Sequence, residues 1–477
     1  MFSFSLAEGY RLARDQDGWS IAGNLPKRRV TISAGLAQSL LLLFKGTAQE
    51  LAWATQKSLF HLAAKGYINI KYSANTQNIA TLPMVSVVIP VKNRAQDLKQ
   101  CLSSLYELNW PPNKLQIIVV DDNSSDETPQ IVQETSAILI KKNYCEGPAA
   151  ARNLGVQKSS GDIIAFIDSD CLADSNWLND LIPWFSFSAV GALGGLVEGY
   201  YQQTPLDKYE SACSSLSLGQ RFLFEKTLSG AFYVPGCNML IRKKLFLQLG
   251  GFNPQMYVGE DVDLCWRLRR QGCALIYVPQ GKIWHKHRTA AYNMLQRKFT
   301  YGTSEAALYK QNQDKKKILP LPLEALLFYL SAAAIIIGYW QFFCLLILAW
   351  ITSAFSKHRL SKQVGLPVKA PEACRIAWRS NIAVSYSLSY HIIRYYLFFS
   401  ILIACIWPKF VLLLLAALFF SSYVEWRIKN PRLPYTAFLF YYILEQLFYQ
   451  AGVIWGGVKH GYFRFYLLRL HIWCPYK

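Results

Sequence analysis

Asp162-Ile163-Ile164-Ala165-Phe166-Ile167-Asp168-Ser169-Asp170 is the stretch on which the reading of the fold turns. Residues 162–167 read as a buried strand. Side chains alternate along a strand, so Asp168 and Asp170 leave its end on the same side. Two carboxylates that close repel each other unless a divalent cation sits between them. Mg²⁺ or Mn²⁺ is the usual occupant when a substrate phosphate completes the shell. Further along, Glu260-Asp261-Val262-Asp263 offers a candidate general base. The two clusters together point to metal-assisted transfer from a phosphorylated donor. An isolated Asp-x-Asp also fits a solvated turn, so the surroundings have to decide.

Those surroundings read as a string of α/β units. Val85 to Val91 is a short apolar run rich in β-branched residues that ends in Lys92-Asn93-Arg94. A helix follows, with Leu98, Leu102, Leu105 and Leu108 at helical spacing. A second strand, Leu115 to Val120, ends in Asp121-Asp122-Asn123-Ser124-Ser125-Asp126, and a further helix and a strand around Ile138 to Lys141 come next. Alternating strands and helices imply a parallel sheet, which binds its ligands at the carboxyl ends of its strands. Three of those ends carry polar clusters, at Asn93-Arg94, Asp121-Asp122 and Asp168-Asp170.

The ordered runs Val-Ser-Val-Val-Ile-Pro-Val-Lys-Asn, Ile-Val-Val-Asp-Asp-Asn-Ser-Ser-Asp, Gly-Pro-Ala-Ala-Ala-Arg-Asn-Leu-Gly and Ala-Phe-Ile-Asp-Ser-Asp resemble the family-2 glycosyltransferases. Pro235-Gly236-Cys237-Asn238-Met239, Leu249-Gly250-Gly251-Phe252 and Gly259-Glu260-Asp261-Val262-Asp263-Leu264 continue the resemblance over residues 83 to 300. It implies a GT-A nucleotide-sugar-binding fold, a nucleotide-diphosphate sugar donor and inversion at the anomeric carbon. It also implies donor contacts from Pro90, Asn93, Asp122, Arg152 and Asp168, metal ligation by Asp170 and His285, and a catalytic base in Asp261 with Glu260 orienting the acceptor. Chemistry is consistent with these roles but leaves alternatives. Asp122 receives the base or ribose, or else caps a turn. Arg152 lies just inside a helix beginning near Pro148, where it and the free N–H groups can grip a diphosphate; otherwise it is a surface arginine. Asp168 suits a ribose or water-mediated contact. Asp261 would take the acceptor proton on the face opposite the leaving diphosphate. Asp263 and Arg267 fit an i,i+4 ion pair. His285, in Ile283-Trp284-His285-Lys286-His287, is a metal ligand or a packing residue. Polymerising members carry Gln-x-x-Arg-Trp after the base, and no Arg-Trp dipeptide occurs here. That argues for adding one or a few sugars.

Composition narrows the remainder. The formal charge of +20 accompanies 52% hydrophobic and 14% aromatic residues. With the apolar residues concentrated in the C-terminal third, this balance favours membrane association over nucleic-acid binding. Eleven cysteines are scattered without a Cys-x-x-Cys pair, as expected of free thiols in a reducing compartment. No signal-type apolar stretch follows Met1, so the enzyme domain is expected on the cytoplasmic side of the membrane. The domain expected over 83–315 gives way to a helical membrane region over 319–477, with apolar blocks at 319–355, 395–424 and 435–457. The second block is broken by Pro408-Lys409 and the third contains Glu445. About 20 apolar residues span a bilayer. The first block is long enough for one crossing and nearly enough for two. Residues 356–394, with basic positions 357, 359, 362, 369, 375, 379 and 394 against the single acid Glu372, read as cytoplasmic.

Residues 1–80 form a separate α+β module. Short strands are expected at 10–14 and 19–22, a basic turn at Lys27-Arg28-Arg29, helices at 34–44 and 49–66 after a Gly46-Thr47 break, and a closing strand at 67–70. This winged-helix-like pattern resembles the PqqD-like peptide-recognition domains. The whole layout, module, family-2 domain and membrane tail, resembles the glycosyltransferases of mycofactocin systems. That resemblance implies a peptide-derived redox cofactor as acceptor, UDP-glucose as donor, and a leader-peptide or maturase partner held by strand addition. Oligomerisation or membrane docking is the plainer use of such a module. Two other functions remain open: a glycosyltransferase for a lipid-linked or envelope glycan, and a catalytically silent scaffold that binds nucleotide sugar or peptide.

Overall fold

The structure is a computed structural model and describes residues 2–15, 18–24, 27–46, 51–73, 81–224, 232–363 and 368–473. The chain divides into two compact units, residues 1–26 with 30–288 and residues 27–29 with 289–477.

The chain opens with β1 (Phe2–Leu6), β2 (Tyr10–Asp15), β3 (Gly18–Asn24), β4 (Lys27–Ile32, of which residues 30–32 belong to the first unit), α1 (Ala34–Phe44), α2 (Trp53–Ala64) and β5 (Ile68–Tyr72). β1 pairs antiparallel with β5, and β2-β3-β4 make a second small sheet. The Ser33 hydroxyl caps α1 by accepting from the Leu36 N–H at 3.2 Å. Lys27-Arg28-Arg29, expected as a turn, instead opens β4. That strand lies at the edge of its three-stranded sheet. The helix expected from residue 49 begins at Trp53. Thr47, the second residue of the expected break, and positions 48–50 lie outside the described residues.

The module is not an appendage of the rest of this unit. Phe60 is fully buried in the same apolar core as Trp184, Phe187 and Phe224, and the Phe2 ring meets Trp184 edge-on at 5.1 Å. Gln56 fastens the join: its Nε2 donates to Ser188 Oγ at 3.2 Å and its Oε1 accepts from the Ala189 N–H at 2.9 Å. Lys57 donates to the Gly272 carbonyl at 2.6 Å.

The large sheet is assembled from β6 (Val85–Val91), α3 (Ala95–Tyr106), β7 (Leu115–Asp121), α4 (Thr128–Gln133), β8 (Ile138–Lys141), α5 (Pro148–Gln157) and β9 (Ile163–Ile167). It continues through β10 (Cys171–Ala173), α6 (Trp177–Leu181), β11 (Val190–Gly199), α7 (Pro205–Cys213), β12 (Leu223–Phe224), β13 (Asn238–Arg242), α8 (Lys243–Gln248), α9 (Glu260–Arg270) and β14 (Ala274–His285). Its order is β10-β14-β11-β13-β9-β6-β7-β8, with β12 beside β14. The half read as parallel, β9-β6-β7-β8, is parallel. The other half is mixed, because β13 runs antiparallel to both β9 and β11, and β10 runs antiparallel to β14. A strand's composition fixes that it is buried, whereas its direction depends on the neighbour it meets. Asn238, wholly buried, locks this half. Its side chain accepts from Trp177 Nε1 at 2.8 Å and donates to the carbonyls of Leu196 (3.0 Å) and Gly281 (3.1 Å).

The second unit holds α10 (Ala291–Gln311), β15 (Lys317–Pro322), α11 (Leu323–Ile336), α12 (Phe343–Gln363), α13 (Ala370–Tyr395), α14 (Leu397–Ile406), α15 (Phe410–Lys429), α16 (Tyr435–His460) and β16 (Leu468–Trp473). The first apolar block does not start as a membrane helix: Leu319-Pro320-Leu321-Pro322 lies in β15, parallel to β16, since prolines interrupt a helix. The remainder of that block folds back on itself as α11 and α12 around Gly338, whose φ of 102° ends the first arm. Residues 340–362, 410–429 and 435–460 are long and apolar enough to cross a bilayer, and α13 with α14, bent by 88°, could supply a fourth crossing. Glu445 of α16 is buried and paired with Arg394 at 3.0 Å and Lys298 at 3.2 Å, as an acid in an apolar helix requires. α10 and α16 approach closely because Gly302 and Gly452 have no side chain; a Cβ on either would lie 2.1 or 2.0 Å from a backbone oxygen of the other helix.

Phe60→Ala should lower the stability of the first unit by about 3–5 kcal/mol, the usual cost of emptying a buried phenylalanine site. Denaturant unfolding of the detergent-solubilised protein would report it, and limited proteolysis should then cut the amino-terminal module first.

Candidate active site

The loops that follow β6, β7 and β9 meet at one edge of the sheet, as their polar ends predict. Asn93 takes a left-handed turn (φ 51°), a conformation asparagine tolerates. Its N–H donates to Ser124 Oγ at 2.9 Å and its Oδ1 accepts from the Ser125 N–H at 2.8 Å, so it clasps the first loop to the second. Pro90 is buried inside β6, opposite Val120. Asp122 is almost fully enclosed. It pairs with Lys142 at 2.6 Å and accepts from Cys145 Sγ (3.1 Å) and from the N–H groups of Glu146 (3.0 Å) and Gly147 (2.8 Å). Burial pushes this carboxyl up, but Lys142 and the N–H donors outweigh it and hold it below the ordinary aspartate value. In this structure Asp122 therefore shapes the segment leading into α5. Lys142, one residue past the end of β8, is a partner that the sequence reading did not name. A charged residue at the carboxyl end of a parallel strand was the available signal.

Arg152 lies in the centre. Its Nη2 is 2.6 Å from Asp168 Oδ1 and its Nη1 is 2.8 Å from Glu260 Oε1, while its face rests on the Phe252 ring at 5.5 Å. With only 5% of the side chain exposed, it is not the surface arginine weighed above. Both arms of the guanidinium are on carboxylates, where the resemblance implied a diphosphate. The arginine thus joins the Asp168–Asp170 loop to the start of α9.

The first turn of α9 carries Glu260, Asp261 and Asp263, which favours them electrostatically at a helix N-terminus. Asp261 Oδ2 accepts from the Gly236 N–H at 3.0 Å and Oδ1 from the Val262 N–H at 2.8 Å. Burial raises Asp261 above the ordinary aspartate range despite these bonds. For Glu260, burial and then the neighbouring Asp261 charge outweigh Arg152 and push the carboxyl up to about 7. Asp263 and Arg267 form the expected i,i+4 pair at 2.8 Å, and Arg267 also donates to the carbonyls of Leu249 and Gly251.

Asp170 is buried beyond the arginine strut. The antiparallel pairing of β10 with β14 puts Cys171 opposite His285, which brings His285 Nε2 to 3.5 Å from Asp170 Oδ1. Asp170, Cys171 and His285 offer ligand atoms within 4.8 Å of one another. His287 Nδ1 is 3.1 Å from His285 Nδ1, so one of the two nitrogens carries the shared proton. Arg94 Nη1 contacts Asp170 Oδ2 at 3.0 Å. The sequence reading placed Arg94 at a functional strand end without giving it a role. The ten described cysteines are free; Cys474 lies outside the described residues.

A mixed sheet with carboxylates gathered at its loop-bearing edge is the GT-A architecture, and residues 86–250 match the family model described as glycosyl transferase family 2. The chain carries a family-2 glycosyltransferase domain. Pre-mycofactocin glycosyltransferase of Mycobacterium tuberculosis is 38% identical over 238 residues, 48% of this chain and 48% of that protein. Glycosyltransferase AglE of Haloferax volcanii is 29% identical over 238 residues, covering 48% of this chain and 75% of AglE. The chain therefore spans about half the length of the Mycobacterium tuberculosis relative. Among solved structures, the mannosyltransferase PcManGT of Pyrobaculum calidifontis, in complex with GDP-Man and Mn²⁺, aligns over 88% of this chain and 98% of its own, with 18% identity and a TM-score of 0.47.

Glu260 binds its proton more tightly folded, at about 7, than at the ordinary glutamate value of 4.5. The folded state thus holds the extra proton between those values, and stability must fall as pH rises through that window. Wild type should lose stability from pH 5 to about 7 while Glu260→Gln does not, a difference read from thermal midpoints across pH. Arg152→Met, which removes the cation from beside buried Glu260, should cost about 3–5 kcal/mol above pH 7, measured by denaturant unfolding.

Proposed function

We propose that the protein is a membrane-bound inverting glycosyltransferase that moves a sugar from a nucleotide-diphosphate sugar to an acceptor hydroxyl, with Mg²⁺ or Mn²⁺ at Asp170 and His285. The observation that carries this reading is the Asp168–Arg152–Glu260 bridge. It couples a cation-ready carboxylate, Asp170, to a backbone-held carboxylate, Asp261, on the other side of the same buried arginine.

The donor set fits such a metal: a hard carboxylate and an imidazole within reach of each other suit Mn²⁺. The Cys171 thiol is pushed far above its ordinary value by burial, so it stays protonated and is a poor third ligand. When bound, a divalent cation would neutralise the donor diphosphate as it leaves. The remaining work belongs to the chain. The N–H groups of Gly236 and Val262 fix both oxygens of Asp261, and its raised proton affinity strengthens it as a base toward the attacking hydroxyl. Glu260, held by Arg152, orients the acceptor. Asp168 takes up a ribose or water-mediated contact, and Pro90, Asn93 and Asp122 shape the nucleotide end of the crevice.

The similarity to pre-mycofactocin glycosyltransferase supports a mycofactocin-like acceptor; the resemblance in layout makes that acceptor peptide-derived and UDP-glucose the first donor to test. The amino-terminal module would then hold a leader peptide or maturase. The long apolar helices support a membrane location and favour a lipid-linked acceptor as the second reading; the catalytic unit is placed on the cytoplasmic side, where nucleotide sugars are found.

Detergent-solubilised protein incubated with UDP-glucose, UDP-galactose, UDP-N-acetylglucosamine or GDP-mannose should turn over one donor only when Mn²⁺ or Mg²⁺ is present. Asp170→Ala should weaken metal-dependent donor binding. Asp261→Asn should bind donor normally yet transfer about 10²–10⁴-fold more slowly, the span of general-base catalysis. Normal transfer by Asp261→Asn would sink the base assignment.

A further inference from the structure

Arg94 takes no part in the function proposed above, yet it contacts the carboxylate assigned there to the metal. The Arg94 N–H donates to Thr128 Oγ1 at 3.1 Å, which fixes its backbone at the start of α3. Its guanidinium then lies between two acids, 3.0 Å from Asp170 Oδ2 and 3.2 Å from Asp97 Oδ2. Asp97 has a second cation, because Lys286 Nζ is 2.8 Å from its other oxygen. The Lys286 N–H in turn donates to the Asp170 carbonyl at 2.9 Å, so the two acids belong to one network.

Resting on the metal assignment to Asp170, we infer that Arg94 is the resident counter-ion of that carboxylate in the unloaded enzyme, which an arriving divalent cation must displace. Three features make the exchange feasible. Asp170 is buried, with 9% of its side chain exposed, and a buried carboxylate without a cation is costly. Arg94 occupies Oδ2 while His285 approaches Oδ1, so the imidazole side is open to a cation that the guanidinium opposes by like charge. The Arg94 side chain is one-quarter exposed and can swing out, and Lys286 keeps Asp97 neutralised when it does. Arg94 therefore raises the cation concentration needed to fill the site in the absence of donor. A donor diphosphate would lower it again by supplying negative charge for the released guanidinium.

The test is Mn²⁺ binding to the full-length solubilised protein without nucleotide, followed by electron paramagnetic resonance of free Mn²⁺. Arg94→Gln should bind Mn²⁺ about two- to fivefold tighter than wild type, the range expected for removing a partly exposed competing ion pair. Asp97→Asn, which leaves Arg94 with Asp170 as its one paired acid among the described residues, should bind Mn²⁺ more weakly. It decides the matter if Arg94→Gln proves unstable by its thermal midpoint. Unchanged or weaker binding by a folded Arg94→Gln, or unchanged or tighter binding by Asp97→Asn, would overturn the inference. If wild type and Asp170→Ala bind Mn²⁺ alike, the metal assignment fails first and takes this inference with it.

Discussion

A single buried guanidinium holds the two halves of the site together. Arg152 comes from the second turn of α5, yet it grips Asp168 at the end of β9 and Glu260 at the start of α9. Glu260, with 10% of its side chain exposed, needs that cation to ionise, while Asp168 keeps 31% of its side chain in solvent. Arg152 has no second ionic state available, so the geometry is fixed rather than adjustable. The distance between the Asp168–Asp170 loop and the start of α9 follows from the span of one planar side chain. Phe252 beneath it supplies the apolar floor that keeps the arginine from swinging toward solvent.

The surrounding sheet is arranged to serve that contact. β13 enters antiparallel beside β9, with Asn238 opposite Ile167, and so delivers Gly236 to Asp261. β14 returns along β10 in the register that sets His285 against Cys171 and next to Asp170. The Asn238 node, with three hydrogen bonds to three elements, stops those strands from slipping. A slip of one residue in either pairing would turn the relevant side chain to the opposite face.

The helical unit solves a different problem. It leaves large apolar side chains exposed, among them Phe343, Leu348, Phe355, Leu402, Ile406 and Leu412, while burying several of its charges as pairs. Arg394, Glu445 and Lys298 form one buried set, and Glu305 with Lys317 forms another, at 3.1 Å. Apolar outside and paired ions inside is the arrangement a lipid-facing bundle requires.

Legible in the chain before folding were the strands β6, β7, β8 and β9, the helix that begins at Pro148, the polar strand ends, the family-2 glycosyltransferase motifs and the i,i+4 pair of Asp263 with Arg267. Each of these depends on local periodicity or on motifs within a few residues, which the chain carries wherever it folds. Tertiary structure alone decided the antiparallel half of the sheet, the use of both arms of Arg152 on acids, the enclosure of Asp122 by Lys142, and the contact of Arg94 with Asp170. Those depend on groups between 16 and 114 positions apart in the chain, from Arg152 and Asp168 to Cys171 and His285. A charged side chain in a sequence announces that it needs a partner, but only the packed sheet selects which one comes within reach.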